Sequence, residues 1–322
     1  MNSSKFLITG ATGLIGSAVV RHVADRFPGA GMVLPVRNMA KAQAMLGGIA
    51  GASLHECDLL TTDFEWAGDV DYIVHCAAPT SNREFTEHPI ETYNAIVHPT
   101  QHLLDYAVRH RVKGFVFLSS LEVYGTINGD CKPVAEEMLG HVDLASPRSS
   151  YPVAKRATEH LCSLYAHQHG VPVCTARLTQ TTGPGVTFDD NRVINAFCRS
   201  AFLGEDIVLH TTGESARPYC HVADAVSAIM LLLDKGLKGE AYNVANESTY
   251  ISARDLATFV KEHLNPDIEV RVELREDTPY APPSFLPLST ARLQSLGWHP
   301  GHSLEDICSD VFNHYKILKN HG

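Results

Sequence analysis

The sequence predicts an α/β fold in which a doubly wound parallel sheet carries a smaller, discontinuous C-terminal domain. Three observations carry that expectation. Short apolar or β-branched runs alternate with helical patterns through the first half, a glycine-rich turn joins the first run to the first helix, and the alternation breaks after Gly183 before returning.

The first strand is "KFLITG", and a helical pattern over 17–26 follows it. "GMVLPVR" with a helix over 39–46 and "DYIVHCAA" with a helix over 90–110 repeat the unit, and "GFVFLSS" extends it. Strands separated by helices call for crossover connections, which are right-handed and set the strands parallel. A helix over 151–169 and the strand "VPVCTARLT" continue the series. From Gly183 onward "GPGVTFDDNRV" is a loop, and "YAPPSFLPLS" carries its prolines in the manner of a surface lid or linker. The apolar helix over 224–233 and the strand "EAYNVA" return to the first style. Residues 1–178 plus 222–246 are therefore assigned to the sheet domain, and 179–221 plus 247–322 to the smaller one.

A chain of 322 residues buries a sizeable core. Its charged fraction of 19% and net charge of -10 argue against a nucleic-acid partner, because neutralising phosphates needs a basic surface. The start "MNSSKFLITG" lacks the basic region, long apolar stretch and cleavage site of a signal peptide, and no apolar run reaches membrane-spanning length. None of the eight cysteines forms a C-x-x-C pair, and Cys76, Cys162 and Cys174 lie in apolar segments as reduced packing residues would. A cytoplasmic protein without a membrane partner is expected. Among eighteen histidines, His98 and His102 share a helix face, but no acidic or cysteine ligand lies nearby, and no metal is expected.

"TGATGLIG" spaces Gly10, Gly13 and Gly16 three apart between strand and helix. Glycines let such a turn tighten and let backbone amides approach a pyrophosphate, which the positive end of the helix then favours. Gly10, Thr12, Gly13, Leu14, Ile15 and Gly16 are thus expected to hold a dinucleotide in a Rossmann-type domain. At the end of the second strand an acid would bind a ribose 2′-hydroxyl, and a base would accept a 2′-phosphate. Arg37 stands there with Lys41 one turn further, which favours NADP over NAD; the competing reading is an exposed arginine without a role. Asp58, with Leu59 beside it, is either an acceptor for the adenine amino group or a helix N-cap. In "HCAAP", Ala77 and Ala78 are small enough for the chain to lie against the cofactor.

"SSYPVAKR" places Tyr151 and Lys155 on one helix face. A phenol titrates near pH ~10, and a neighbouring cation lowers that toward the range useful to a general acid or base. The same spacing also arises in surface pairs with no function.

"TGATGLIG", "HCAAP", "LSSLEVYG", "YPVAK" and "RPYCHVAD", in this order, resemble the extended short-chain dehydrogenases/reductases of the NAD-dependent epimerase/dehydratase family, which act on nucleotide sugars. The resemblance runs from about residue 5 to about residue 304. "APTSNREFTEHPIET" and "GPGVTFDDNRVINAF" look most like the UDP-glucuronate decarboxylase branch, with the dTDP-glucose 4,6-dehydratases close by. It implies that Ser120 hydrogen-bonds the sugar hydroxyl, that Tyr151 moves its proton, and that Lys155 binds the nicotinamide ribose and lowers the tyrosine pKa. Glu122 is implied as the carboxylate acting on a 4-keto intermediate, by decarboxylation or dehydration, with epimerisation open. A solvated loop carboxylate is the bland alternative. The dehydratases place an Asp before that Glu, where this chain has Leu121.

Arg217 matches the family's diphosphate-binding arginine, and Arg192 lies in the stretch lining the nucleotide pocket, a surface arginine being the alternative for each. Gln180 replaces the family's Asn as a substrate contact, His221 replaces a common Tyr, and Ile96 stands where the decarboxylases have Asn. The resemblance also implies a homodimer through the helices over 90–110 and 151–169. Two rival functions are an NADPH-dependent ketone or aldehyde reductase, suggested by Arg37 and Gln180, and a non-catalytic dinucleotide-binding sensor. A sensor would have no use for Ser120, Tyr151 and Lys155 together.

Overall fold

The computed structural model describes residues 1–127, 132–275 and 284–321, so Tyr280–Pro283 of the proline-bearing segment lie outside the described residues. In chain order the elements are β1 (Lys5–Thr9), α1 (Leu14–Arg26), β2 (Gly31–Val36), α2 (Met39–Leu46), β3 (Ala52–Glu56), β4 (Tyr72–His75), α3 (Asn82–Glu87), α4 (Pro89–His110), β5 (Gly114–Ser120), α5 (Ser150–His169) and β6 (Val173–Leu178). Then come β7 (Gln180–Thr182), α6 (Val193–Leu203), β8 (Ile207–Leu209), β9 (Ala216–His221), α7 (Val222–Lys235), β10 (Ala241–Val244), β11 (Asn246–Ser252), α8 (Ala253–Leu264), β12 (Val270–Val272), α9 (Ala291–Gln294) and α10 (Leu304–His321).

Seven strands form one sheet in the order β10-β6-β5-β4-β1-β2-β3, and every neighbouring pair is parallel. The near-continuous apolar runs of β1, β4 and β5 follow from this, since helices cover both faces. Val19, Val20 and Val23 of α1 pack with Ala225 and Ile229 of α7 against Phe6, Ile8 and Val116 on one face. Leu103, Leu104 and Ala107 of α4 pack with Ala154 and Cys162 of α5 against Leu7, Ile73 and Phe115 on the other. Each Val, Leu, Ile or Phe side chain among them contributes roughly 1.5–3 kcal/mol when fully buried.

A separate apolar core lies among α6, α8 and α10, built from Ile194, Phe197, Leu256, Val260, Ile307 and Tyr315. It carries a three-stranded sheet in the order β11-β9-β7 and the parallel pair β12-β8. No helix of the described chain is long and apolar enough to cross a membrane, and the seven described cysteines are free thiols.

The turn Leu121–Tyr124, which follows β5, is fixed at both ends. Ser120 Oγ accepts from the Glu122 amide at 3.2 Å, a cap that satisfies one of the turn's free N–H groups. Arg156 on α5 donates to the carbonyls of Val123 at 2.6 Å and Gly140 at 2.7 Å, so the turn's carbonyl end is tied to α5. Beneath it the buried Arg177, paired with Glu159 at 2.7 Å, also donates from Nη1 to the Tyr124 hydroxyl at 3.0 Å. The loop carrying Ser120 and Glu122 is thereby held to the helix carrying Tyr151.

Candidate active site

Strand order reverses between β1 and β4, and chains leaving the carboxyl ends of such neighbours diverge to open a crevice. Gly10 lines it with φ +67°, and a Cβ there would lie 2.8 Å from the Ala77 nitrogen. A Cβ on Gly16 would lie 2.2 Å from the Gly10 carbonyl oxygen, so α1 approaches β1 only because that atom is missing. The Gly13 amide closes the turn onto the Gly10 carbonyl at 2.9 Å and leads directly into α1, whose first turn holds no acid. Free amides at a helix start beside a cradle that a Cβ would fill match the shape and charge of a pyrophosphate. Thr12, Leu14 and Ile15 are partly exposed around it, and Ala78 is half-buried beyond Ala77.

Arg37 follows β2, is exposed and has no partner among the described residues. Asn38 behind it caps α2 by accepting from the Lys41 amide at 2.9 Å. Asp58 accepts from the Leu60 amide at 3.0 Å inside a turn, and no helix starts there; of its two expected roles the helix N-cap is excluded. Leu59 is half-buried against Leu7 and its neighbours.

His75 at the end of β4 fixes this rim. Ala77 N–H donates to Thr9 Oγ1 at 3.2 Å, which leaves the Thr9 hydroxyl proton for His75 Nδ1 at 2.6 Å. Thr100 spends its own proton on the Ile96 carbonyl at 2.7 Å and so accepts from His75 Nε2 at 3.0 Å. This network assigns the neutral Nε2–H tautomer. Burial agrees with it, lowering the His75 pKa to about 3 with the Lys155 charge adding to the effect.

On the other side of the crevice, Tyr151 lies in the first turn of α5 with its ring stacked on Phe85 of α3, centroids 4.3 Å apart and planes at 15°. Ser150 Oγ donates to the Phe85 carbonyl at 3.0 Å and pins the two helices together there. Burial pushes the phenol well above its ordinary value and the Glu122 carboxylate adds to this, while a hydrogen bond with Ser120 and the Arg148 charge pull it down. Lys155 does not set it: the ammonium donates to the Leu118 carbonyl at 2.7 Å and sits 5.7 Å from the tyrosine ring centroid. The expected lowering of the phenol by Lys155 is therefore corrected, since burial outweighs a cation that points to the strand backbone. Burial lowers Lys155 itself to about 8. Its one acceptor among the described residues leaves ammonium protons for a ribose hydroxyl.

Glu122 is held by a residue the sequence reading passed over. Arg148 Nη2 donates to both carboxylate oxygens, at 2.9 and 2.8 Å, and its guanidinium lies 4.9 Å from the Phe85 ring centroid. Arg148 stands three residues before Tyr151 in "PRSSY", a proximity that would have flagged it; Phe85 carries no sequence signal beyond its place before the long helix.

The expected substrate contacts divide. Arg217 on β9 is half-buried with no partner among the described residues, and the Gln180 amide oxygen on β7 is buried and unpartnered. Both retain hydrogen-bonding capacity that a ligand would use. Arg192 is already engaged within the chain: its Nε and Nη2 bind the Asp190 carboxylate and its Nη1 donates to the Thr181 carbonyl at 2.8 Å, which leaves one proton on each terminal nitrogen. That guanidinium braces the loop before α6, and a substrate contact there would use its two remaining protons. His221 caps α7 through Nδ1 and stacks on His302 at 4.0 Å. Ile96 is buried in the α4 core. Among the described residues no group of acidic, histidine or cysteine side chains is placed to hold a metal.

The family model described as the NAD dependent epimerase/dehydratase family matches residues 6–245. UDP-glucuronic acid decarboxylase 5 of Arabidopsis thaliana is 33% identical over 238 residues, covering 74% of this chain and 68% of the relative. UDP-glucose 4-epimerase of Thermotoga maritima, solved with UDP-glucose, superposes with a TM-score of 0.85 at 23% identity over 98% of this chain and 99% of that one. dTDP-glucose 4,6-dehydratase of Bacillus anthracis, solved with NAD, gives 0.81 at 20% identity over 98% of each chain. The two structures share the fold.

Proposed function

The chain belongs to the NAD dependent epimerase/dehydratase family, and from that premise we propose that it oxidises carbon 4 of a nucleotide sugar, acts on the resulting ketone and returns the hydride. UDP-glucuronate is the proposed substrate and decarboxylation the proposed outcome. The single observation that carries this is the Glu122 carboxylate, held by Arg148 and felt electrostatically by Tyr151, together with the 33% identity to a UDP-glucuronic acid decarboxylase.

Ser120 hydrogen-bonds the 4-hydroxyl and Tyr151, as phenolate, takes its proton as the carbon–hydrogen bond breaks; the positive charge of an oxidised nicotinamide bound beside it would counter the burial that holds the phenol protonated. The bound dinucleotide supplies the acceptor and later donor of that hydride. Lys155 holds the nicotinamide ribose. The new ketone is β to the carboxylate of a glucuronate, so carbon dioxide leaves readily, and Glu122 moves the proton at carbon 5. Arg217 and Gln180 bind the diphosphate and sugar.

Arg37 favours the 2′-phosphorylated dinucleotide and keeps a reductase as the second reading. The discriminating experiment is mass spectrometry of UDP-glucuronate and other UDP-, dTDP-, GDP- and CDP-sugars after incubation with the protein and catalytic NAD or NADP. Loss of carbon dioxide from UDP-glucuronate is expected. Unchanged mass and unchanged chromatography for every sugar, with stoichiometric NADPH oxidation on ketones or aldehydes, would move the assignment to a reductase.

A further inference from the structure

Glu122 lies in a short turn, and its side chain is 31% exposed, so a carboxylate there has freedom to swing into solvent unless something holds it. One residue holds it and is itself held. Arg148 comes from the short turn Pro147–Ser149 just before α5 and binds both carboxylate oxygens through Nη2. The same guanidinium lies on the Phe85 ring, which also stacks on the Tyr151 ring, and Ser150 fixes Phe85 by its backbone. Guanidinium and phenol thus both lie against the Phe85 ring. A planar cation on an aromatic face loses little further freedom when it binds a carboxylate.

We infer that Arg148 is the positioning residue for the reaction: linked through Phe85 to Tyr151, it fixes the Glu122 carboxylate at a set distance from the phenol that begins the chemistry. Arg148 needs no contact with the reacting atoms for this. It acts through Glu122, and its kinetic consequence rests on the proposed role of that carboxylate.

Two measurements test it, one of which needs no turnover. Labelling Glu122 with a water-soluble carbodiimide and glycine ethyl ester, followed by peptide mass spectrometry, reads whether the carboxylate is held in solution. Labelling about tenfold faster in Arg148→Met than in the wild type, with Arg148→Lys in between, is expected for a charge-assisted pair of this geometry. Equal rates would overturn the inference. The second is a double-mutant cycle on UDP-glucuronate. Arg148→Met is expected to lower kcat by about tenfold or more with KM within about threefold, Arg148→Lys to recover part of the loss, and Arg148→Met to add less than about twofold in a Glu122→Gln background. Losses that add in full would make Arg148 a structural residue and overturn it. A wild type that labels as expected but leaves UDP-glucuronate untouched would defeat the proposed substrate while leaving the held carboxylate standing.

Discussion

The crevice at the β1–β4 junction and the cluster around Tyr151 share one edge of one sheet, yet they are made of different materials. The crevice is backbone. Gly10 and Gly16 define it by atoms they lack, and the Ala77 amide and Gly10 carbonyl stand where a Cβ would be. The cluster is side chains from separate segments: Phe85 on α3, Ser120 and Glu122 beyond β5, Arg148 before α5, and Tyr151 and Lys155 within it. A site made of backbone fails when an atom is added. A site made of side chains survives changes of bulk but not the loss of a proton or a charge.

The largest expected effect tests the second half of that contrast. Tyr151→Phe keeps the ring on Phe85 and removes only the hydroxyl, so turnover is expected to fall by ~10²–10⁴ while unfolding in urea shifts by no more than ~1 kcal/mol. A stability loss as large as the kinetic one would break the distinction. Next is Gly16→Ala. The added methyl meets the Gly10 carbonyl, so α1 must move away from β1, with an expected loss of ~2–3 kcal/mol in stability and of about 100-fold in dinucleotide affinity by calorimetry. Unchanged affinity would show that α1 does not contribute its N-terminus to the cofactor.

The same contrast explains what the sequence disclosed. The parallel sheet, its helices and the glycine turn at the junction were legible because each lies in one contiguous segment whose period or spacing is fixed by local geometry. Tyr151 and Lys155 were legible for that reason, one helical turn apart. The environment that sets their acidity was not. Burial of the phenol, the carbonyl that captures Lys155, and the ring of Phe85 come from residues distant in the chain, so the sequence did not show that burial outweighs the cations around the phenol. Arg192 is a related case: only the fold shows that Asp190, two residues back, pairs with its guanidinium.

His75 joins the two regions and gives a pH test. Its folded pKa, about 3, lies below the unfolded value of about 6.5. The unfolded chain therefore binds the extra proton between these values, and this contribution is fully present above pH ~6.5 and lost as pH falls, at up to ~1.4 kcal/mol per pH unit. His75→Asn is expected to flatten the acid limb of unfolding free energy against pH. An unaltered slope would mean that other groups dominate acid unfolding and that the Thr9–His75–Thr100 chain is not what pins the rim.

The smallest effect concerns Arg37, an exposed cation after β2 with no partner among the described residues. Arg37 lies outside every core and every hydrogen bond of the described chain, so its removal leaves stability within ~0.5 kcal/mol. If it receives a 2′-phosphate, Arg37→Ala weakens NADP binding by about tenfold, one charge-assisted contact, and leaves NAD binding unchanged. Equal weakening of both would place the guanidinium on the adenine or the shared ribose. Unchanged binding of both would make Arg37 a solvated residue with no part in the choice between NAD and NADP.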